Sequence, residues 1–170
     1  MIFGVRLRGS SLQTIFGRRW HSLGQIFRDL GLGVALLLAS TLLVSILSGH
    51  QRGEPPDQSI GYLMPQTSFE MLLWIAVSIT AGICEEAVYR GYFQCQFIAL
   101  TRSAPLGILI SAVAFGAAHT YQGLQRAFVI AAAAILSGLL AYWRDTVRPG
   151  MFAHTLQDAI APSLLKLMRH

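Results

Sequence analysis

Charge is what this sequence has little of. Only 12% of its 170 residues are Asp, Glu, Lys or Arg, against about a quarter in ordinary globular domains. Together with 54% hydrophobic residues and a mean hydropathy of +0.52, this excludes a soluble domain with a solvated polar shell. One domain embedded in a lipid bilayer is expected instead. Cysteine is scarce too, with only Cys84 and Cys95 present. Both fall in one expected helical stretch, about 16 Å apart along its axis, beyond disulfide reach. No internal repeat and no low-complexity tract appears. The net charge of +5 sits in short flanking segments and is read as topology and lipid contact, so no nucleic-acid partner is expected.

What is present reads as membrane segments. Over residues 1–29, Leu12, Ile15, Phe16, Trp20, Leu23, Ile26 and Phe27 recur at helical spacing, with Gln13, Arg18, His21, Gln25 and Arg28 mostly opposite. That pattern predicts a basic amphipathic helix lying in the membrane interface. The run LGLGVALLLASTLLVSILSG (30–49) is long enough to span, and a Pro- and Gly-punctuated loop over 50–66 follows. Thr67 and Glu70 have capping-box spacing, so a helix begins at Ser68 and continues to about Thr101. Further helices are expected from Ala104 to His119, over 127–143, and from about Gly150 to the C-terminus, where Pro149 suits a first helical turn. The fold class is therefore all-α, a polytopic integral membrane protein with about five transmembrane helices. Its expected division is an interfacial helix at 1–29 and a transmembrane domain at 30–170. Arg6, Arg8, Arg18, Arg19 and Arg28 before the first span, with Arg102, Arg144 and Arg148 in later turns, favour a cytoplasmic N-terminus.

Against this background the ionisable residues inside the spans stand out: Glu85, Glu86, Arg90, His119, His154 and Asp158. Each costs about 2.5 kcal/mol or more at bilayer depth, and such residues usually mark a functional cavity. Glu85 and Glu86 point about 100° apart and cannot share a helix face. Glu86 and Arg90, four apart, can pair along one face, which on its own would be a structural ion pair. Glu85 has no such local cation, and an unpaired carboxylate against apolar walls is a candidate general base. Glu85 and His119 are equally distant in sequence from Arg102, so a hairpin turning there sets them level. His154 and Asp158 share a face of the last helix, either as part of a site or as a simple helix-surface hydrogen bond. His154 lies only about 8 Å beyond the turn at Arg148, whereas Glu85 lies about 25 Å from the turn at Arg102. The levels match only if the hairpin at Arg102 projects beyond the bilayer, which would set the site nearer the inner face.

Three short motifs then coincide. EEAVYR fits E-E-x-x-x-R, FGAAH fits F-x-x-x-H and HTLQD fits H-x-x-x-N/D. In this order, over about 69–160, they resemble the CPBP family of intramembrane endopeptidases, named for CAAX prenyl proteases and bacteriocin-processing enzymes and also called the Abi family. The resemblance implies hydrolysis of a peptide bond in a membrane-anchored protein or peptide. Glu85 would activate water, His119 would help hold it, Glu86 and Arg90 would orient the site, and His154 and Asp158 would stabilise the oxyanion. Asp158 stands where the pattern also allows Asn, and because an ionised carboxylate repels an oxyanion, Asp158 would either be protonated or only position His154. The family has been described as metalloproteases, and two His with carboxylates form a three-ligand zinc reading. The sequence lacks HExxH, and a glutamate-activated water with no cofactor is the favoured expectation. Two other classes remain: a non-catalytic immunity factor or scaffold, and a small proton or ion carrier using the same groups as relays.

Overall fold

Thr67 sets where the longest helix begins. Its hydroxyl accepts from the Glu70 amide at 3.2 Å, and Glu70 Oε2 accepts from the Thr67 and Gln66 amides at 3.2 and 2.6 Å. This reciprocal arrangement is the expected capping box. The computed structural model of the protein describes residues 12–17, 19–48 and 64–168. In chain order the elements are α1 (Leu12–Phe16), α2 (Leu23–Ser48), α3 (Ser68–Glu86), a π-helix (Ala87–Phe93), α4 (Gln94–Thr101), α5 (Ala104–Ala118), a 3-10 turn (Thr120–Gln122), α6 (Leu124–Arg144) and α7 (Arg148–Met168). No strand occurs among the described residues. The protein is an all-α polytopic membrane protein. Leu23–Leu47, Ser68–Thr101 and Leu124–Arg144 are long and apolar enough to cross a bilayer. Ala104–Ala118 is also apolar but, at 15 residues, rises only about 22 Å.

The N-terminal segment is arranged differently from the single interfacial helix expected over 1–29, of which residues 1–11 lie outside the described residues. The short α1 ends at Gly17, whose φ of +85° belongs to the left-handed region that favours glycine. Helix resumes at Leu23 and runs without interruption through the expected span to Ser48. Leu23, Phe27, Leu30, Val34, Leu38, Leu42 and Ile46 are all exposed. They form one outward apolar stripe at three- and four-residue spacing, the face such a helix turns to lipid. The physical reason for the join is Asp29, which is buried. It accepts from Trp20 Nε1 at 2.8 Å and from Arg144 at 3.3 Å. That pins the start of α2 to the end of α6.

The polar loop expected over 50–66 lies mostly outside the described residues. Arg102, at φ +53°, turns the chain between α4 and α5, and Ser103 caps α5 through the Leu106 amide at 3.4 Å. The two arms of this hairpin touch at Gly107, where a Cβ would lie 2.6 Å from the Ile98 nitrogen and 2.8 Å from its Cα. Small residues at such crossings let membrane helices approach backbone to backbone. Gly107→Val should therefore push the arms apart and destabilise the fold by about 1–3 kcal/mol, seen as a lowered unfolding midpoint in detergent.

Candidate active site

The candidate residues sit on three helices that converge on Glu86. This carboxylate is 2% exposed and fully partnered. Arg90 NH1 lies 3.0 Å from Oε1, Ser137 Oγ donates to Oε2 at 2.7 Å, and His154 Nδ1 stands 3.6 Å from Oε1. α3, the π-helix, α6 and α7 are thereby tied to one group. The fit on the α7 side is close: a Cβ on Gly150 would lie 2.5 Å from Glu86 Oε2 and 2.9 Å from Ser137 Oγ. Gly150 is in the first turn of α7, so α7 starts beside the middle of the 68–101 helix. The α4–α5 hairpin continues past it to Arg102, the offset that brings His154 level with Glu85.

A π-helix carries Arg90, although the i,i+4 spacing of its pair with Glu86 is one an α-helix also allows. Its i→i+5 hydrogen bonding widens the turn, for instance from the Gln94 amide to the Tyr89 carbonyl. Positions four apart come closer to eclipse than in an α-helix, and Glu86 and Arg90 are such a pair. Ser111 of α5 also donates to the Tyr89 carbonyl, at 2.7 Å, and Gln94 Nε2 donates to the Gly138 carbonyl of α6 at 3.0 Å. Neighbouring helices thus hold the widened turn. Arg90 is buried, and its guanidinium lies 4.3 Å from the centroid of the Phe115 ring, a desolvated cation–π contact.

Glu85 faces the other way, toward the two histidines. Its Oε2 is 4.0 Å from His119 Nε2 and 3.8 Å from His154 Nε2. This oxygen is shielded from solvent and takes no protein hydrogen bond, although the side chain as a whole is 33% exposed. His119 Nδ1 lies 2.8 Å from the Phe115 carbonyl, which can only accept. Nδ1 therefore carries a proton and donates, and in the neutral ring Nε2 presents its lone pair toward Glu85. His154 Nε2 also faces Asp158 Oδ2, at 3.5 Å. Trp74 of α3 fixes that part of α7 by donating from Nε1 to the Asp158 carbonyl at 2.8 Å. Phe115 forms a floor, with its ring centroid 4.6 Å from that of His119 and 5.9 Å from that of His154.

All six residues singled out in the sequence are therefore gathered in one place. The sequence reading missed Ser137, Gly150, Trp74 and the ring of Phe115. Phe115 is the first letter of FGAAH, and Ser137 is a lone hydroxyl in the apolar run ILSGLL. Gly150 and Trp74 carry no signal that distinguishes them from ordinary helix-packing residues. As for metal, two donors on one tetrahedral zinc would be about 3.4 Å apart, less than the spacings to Glu85 Oε2. Among the described residues no set of three or more His, Cys, Asp or Glu is arranged to hold a metal ion.

A buried carboxylate–arginine pair, with a second carboxylate between two histidines on apolar helices, defines a polar site inside an integral membrane protein. Residues 66–160 match the model of the Rce1-like family, described as Type II CAAX prenyl endopeptidase Rce1-like, and the chain belongs to that family. It is the CAAX protease family that the three motifs resemble. No curated protein and no solved structure matches the chain. The matched stretch carries all six site residues and leaves out α1 and α2. At family level the chain is a CAAX-type membrane endopeptidase, with a membrane-anchored substrate implied.

The two adjacent glutamates should respond oppositely to mutation. Glu86→Gln leaves the Arg90 charge buried without its counter-ion and should cost about 3–5 kcal/mol of stability. Glu85→Gln removes no protein hydrogen bond and should cost less than about 1 kcal/mol. Thermal unfolding of both variants in the same detergent checks the contrast.

Proposed function

We propose that the protein cleaves a peptide bond in a membrane-anchored substrate, using a water molecule activated by Glu85 without a metal. The observation that carries this reading is the unpartnered Glu85 Oε2 standing 4.0 and 3.8 Å from the two histidine Nε2 atoms. These gaps are too long for direct hydrogen bonds and of a size that one shared water bridges. Glu85 and the His119 Nε2 lone pair are both acceptors, so such a water directs its two protons at them and a lone pair outward. On attack at the carbonyl carbon, Glu85 takes one proton and the carbonyl oxygen becomes an oxyanion. A His154 Nε2–H group, its proton kept on Nε2 by Asp158 Oδ2 at 3.5 Å, turns its hydrogen to that oxyanion. As the C–N bond breaks, the proton on Glu85 passes to the leaving amine, giving a carboxylic acid and an amine; the acid then loses its remaining proton to solvent. Glu86 and Arg90 stay out of the proton transfers and keep the helix register. The arginines at 6, 8, 18, 19 and 28 before the first span support a cytoplasmic N-terminus.

The test is cleavage of a farnesylated CAAX peptide, bearing a fluorophore and quencher across the scissile bond, by purified protein in liposomes. Glu85→Gln should lose about 10²–10⁴-fold in rate, the usual contribution of a general base, while a strong zinc chelator leaves the wild type unchanged. Loss of activity on chelation would bring zinc back into the site. If the wild type cleaves no tethered peptide, the endopeptidase reading fails, and proton flux across the same liposomes then separates a carrier from a scaffold.

A further inference from the structure

Outside the family-matched residues, the segment Ile15–Gly17 is packed against the back of the catalytic helix. Ile15 is 3% exposed and buried together with Ala87, with Phe16 and Met151 packed around them. Ala87 follows Glu86, and Met151 follows Gly150, the residue that abuts Glu86. The Ile15 side chain is thus a wedge between the two elements that enclose the buried carboxylate. The contact with the π-helix is closer still: a Cβ on Gly91 would lie 2.6 Å from Ile15 Cγ2 and 2.7 Å from the Ile15 carbonyl oxygen.

The wedge is latched from behind. Thr146 Oγ1 donates to the Phe16 carbonyl at 2.9 Å, and Arg148 donates to the Gly17 carbonyl at 3.3 Å. The Arg148 guanidinium also lies 4.4 Å from the Trp20 ring centroid. These partners belong to the turn that launches α7, the helix carrying His154 and Asp158. Gly17 is required at the latch, because its φ is +85° and a Cβ would meet Thr146 Cβ at 2.5 Å and the Asp145 carbonyl at 2.7 Å.

We propose that Ile15 is a positioning residue, which with its Gly17 latch holds the π-helix in register and so sets Glu86 and Arg90 against His154. The catalytic part of this inference rests on the endopeptidase reading above, whereas the structural part does not. A π-helix is rare and relaxes readily toward the α form unless its surroundings hold it. A wedge on Ala87 and Gly91 opposes that relaxation on the side away from Ser111. Relaxation would shift the phase of the residues after Ala87 against α5 and α6, where Ser111, Gly138 and Phe115 meet them, and displacements of this kind in supporting residues lower turnover rather than binding.

The chain carries its own reporter. Cys84 and Cys95 are its only cysteines, both free and exposed, and they flank the π-helix. Spin labels on the two report its register by EPR without any substrate. Four full-length variants in liposomes are compared: Ile15→Ala, Ile15→Val, Gly17→Ala and, as a stability control on α2, Leu36→Ala. For Ile15→Ala and Gly17→Ala, kcat on the farnesylated CAAX peptide should fall about tenfold to a hundredfold. KM should hold, and the label separation should lengthen as the wide turn narrows. Ile15→Val should restore both readouts, and Leu36→Ala should lower the unfolding midpoint while changing neither. The proposal is overturned if kcat and label separation stay at wild-type values in Ile15→Ala, or if Leu36→Ala loses kcat in the same proportion to its midpoint. If the wild type cleaves no peptide, the endopeptidase reading alone falls. The label separation then decides: a shift in both Ile15→Ala and Gly17→Ala supports the wedge, and no shift overturns it.

Discussion

The rest of the structure is organised around the burial of one carboxylate. Glu86 could not be sealed among apolar helices without a compensating cation and donors, since an isolated charge there is far too costly. Arg90, Ser137 and His154 meet that demand from three different elements. Helices in lipid gain little from hydrophobic attraction to one another, so packing and polar ties of this sort decide how they assemble. The pair ties α3 and its π-helix to α6 and α7. It fixes how α7 crosses α3, and the position of His154 beside Glu85 follows from that crossing.

With Glu86 saturated, its neighbour is left free. The 100° between successive helical residues sends one carboxylate into a closed polar knot and the other toward two imidazoles. A single dipeptide thus divides into a buried, paired carboxylate and one that faces the two histidines. Phe115 lines both, its ring lying against the Arg90 guanidinium and beside both histidines, while His154 stands between the two carboxylates.

Much of this was legible in the sequence, for identifiable reasons. Charge is so scarce that each embedded polar residue carried information, and helical spacing alone linked Glu86 with Arg90, His154 with Asp158, and Glu85 with His119 across the hairpin. The capping box at Thr67 and Glu70 also follows from local chemistry. The π-helix was not legible, because the partners that meet its widened turn, Ser111 of α5 and the Gly138 carbonyl of α6, lie far from EEAVYR in sequence. The break at Gly17 was missed for a related reason. An apolar period continued smoothly through it, and only the burial of Asp29 among Trp20 and Arg144 assigns Leu23 onward to the first span. Gly150 was hidden because its role lies in the absence of a side chain.

The π-helix has a consequence for any mutational survey of this chain. A widened turn slips the phase of a helix, so residues before Ala87 and after Phe93 obey the same period with different origins. On one helical wheel drawn over 68–101, sensitive positions would smear into a broad arc, as though the helix had no defined face. Drawn as two wheels joined at residues 87–93, the same tolerances should resolve into two narrow arcs. The angle between those arcs would measure the slip directly.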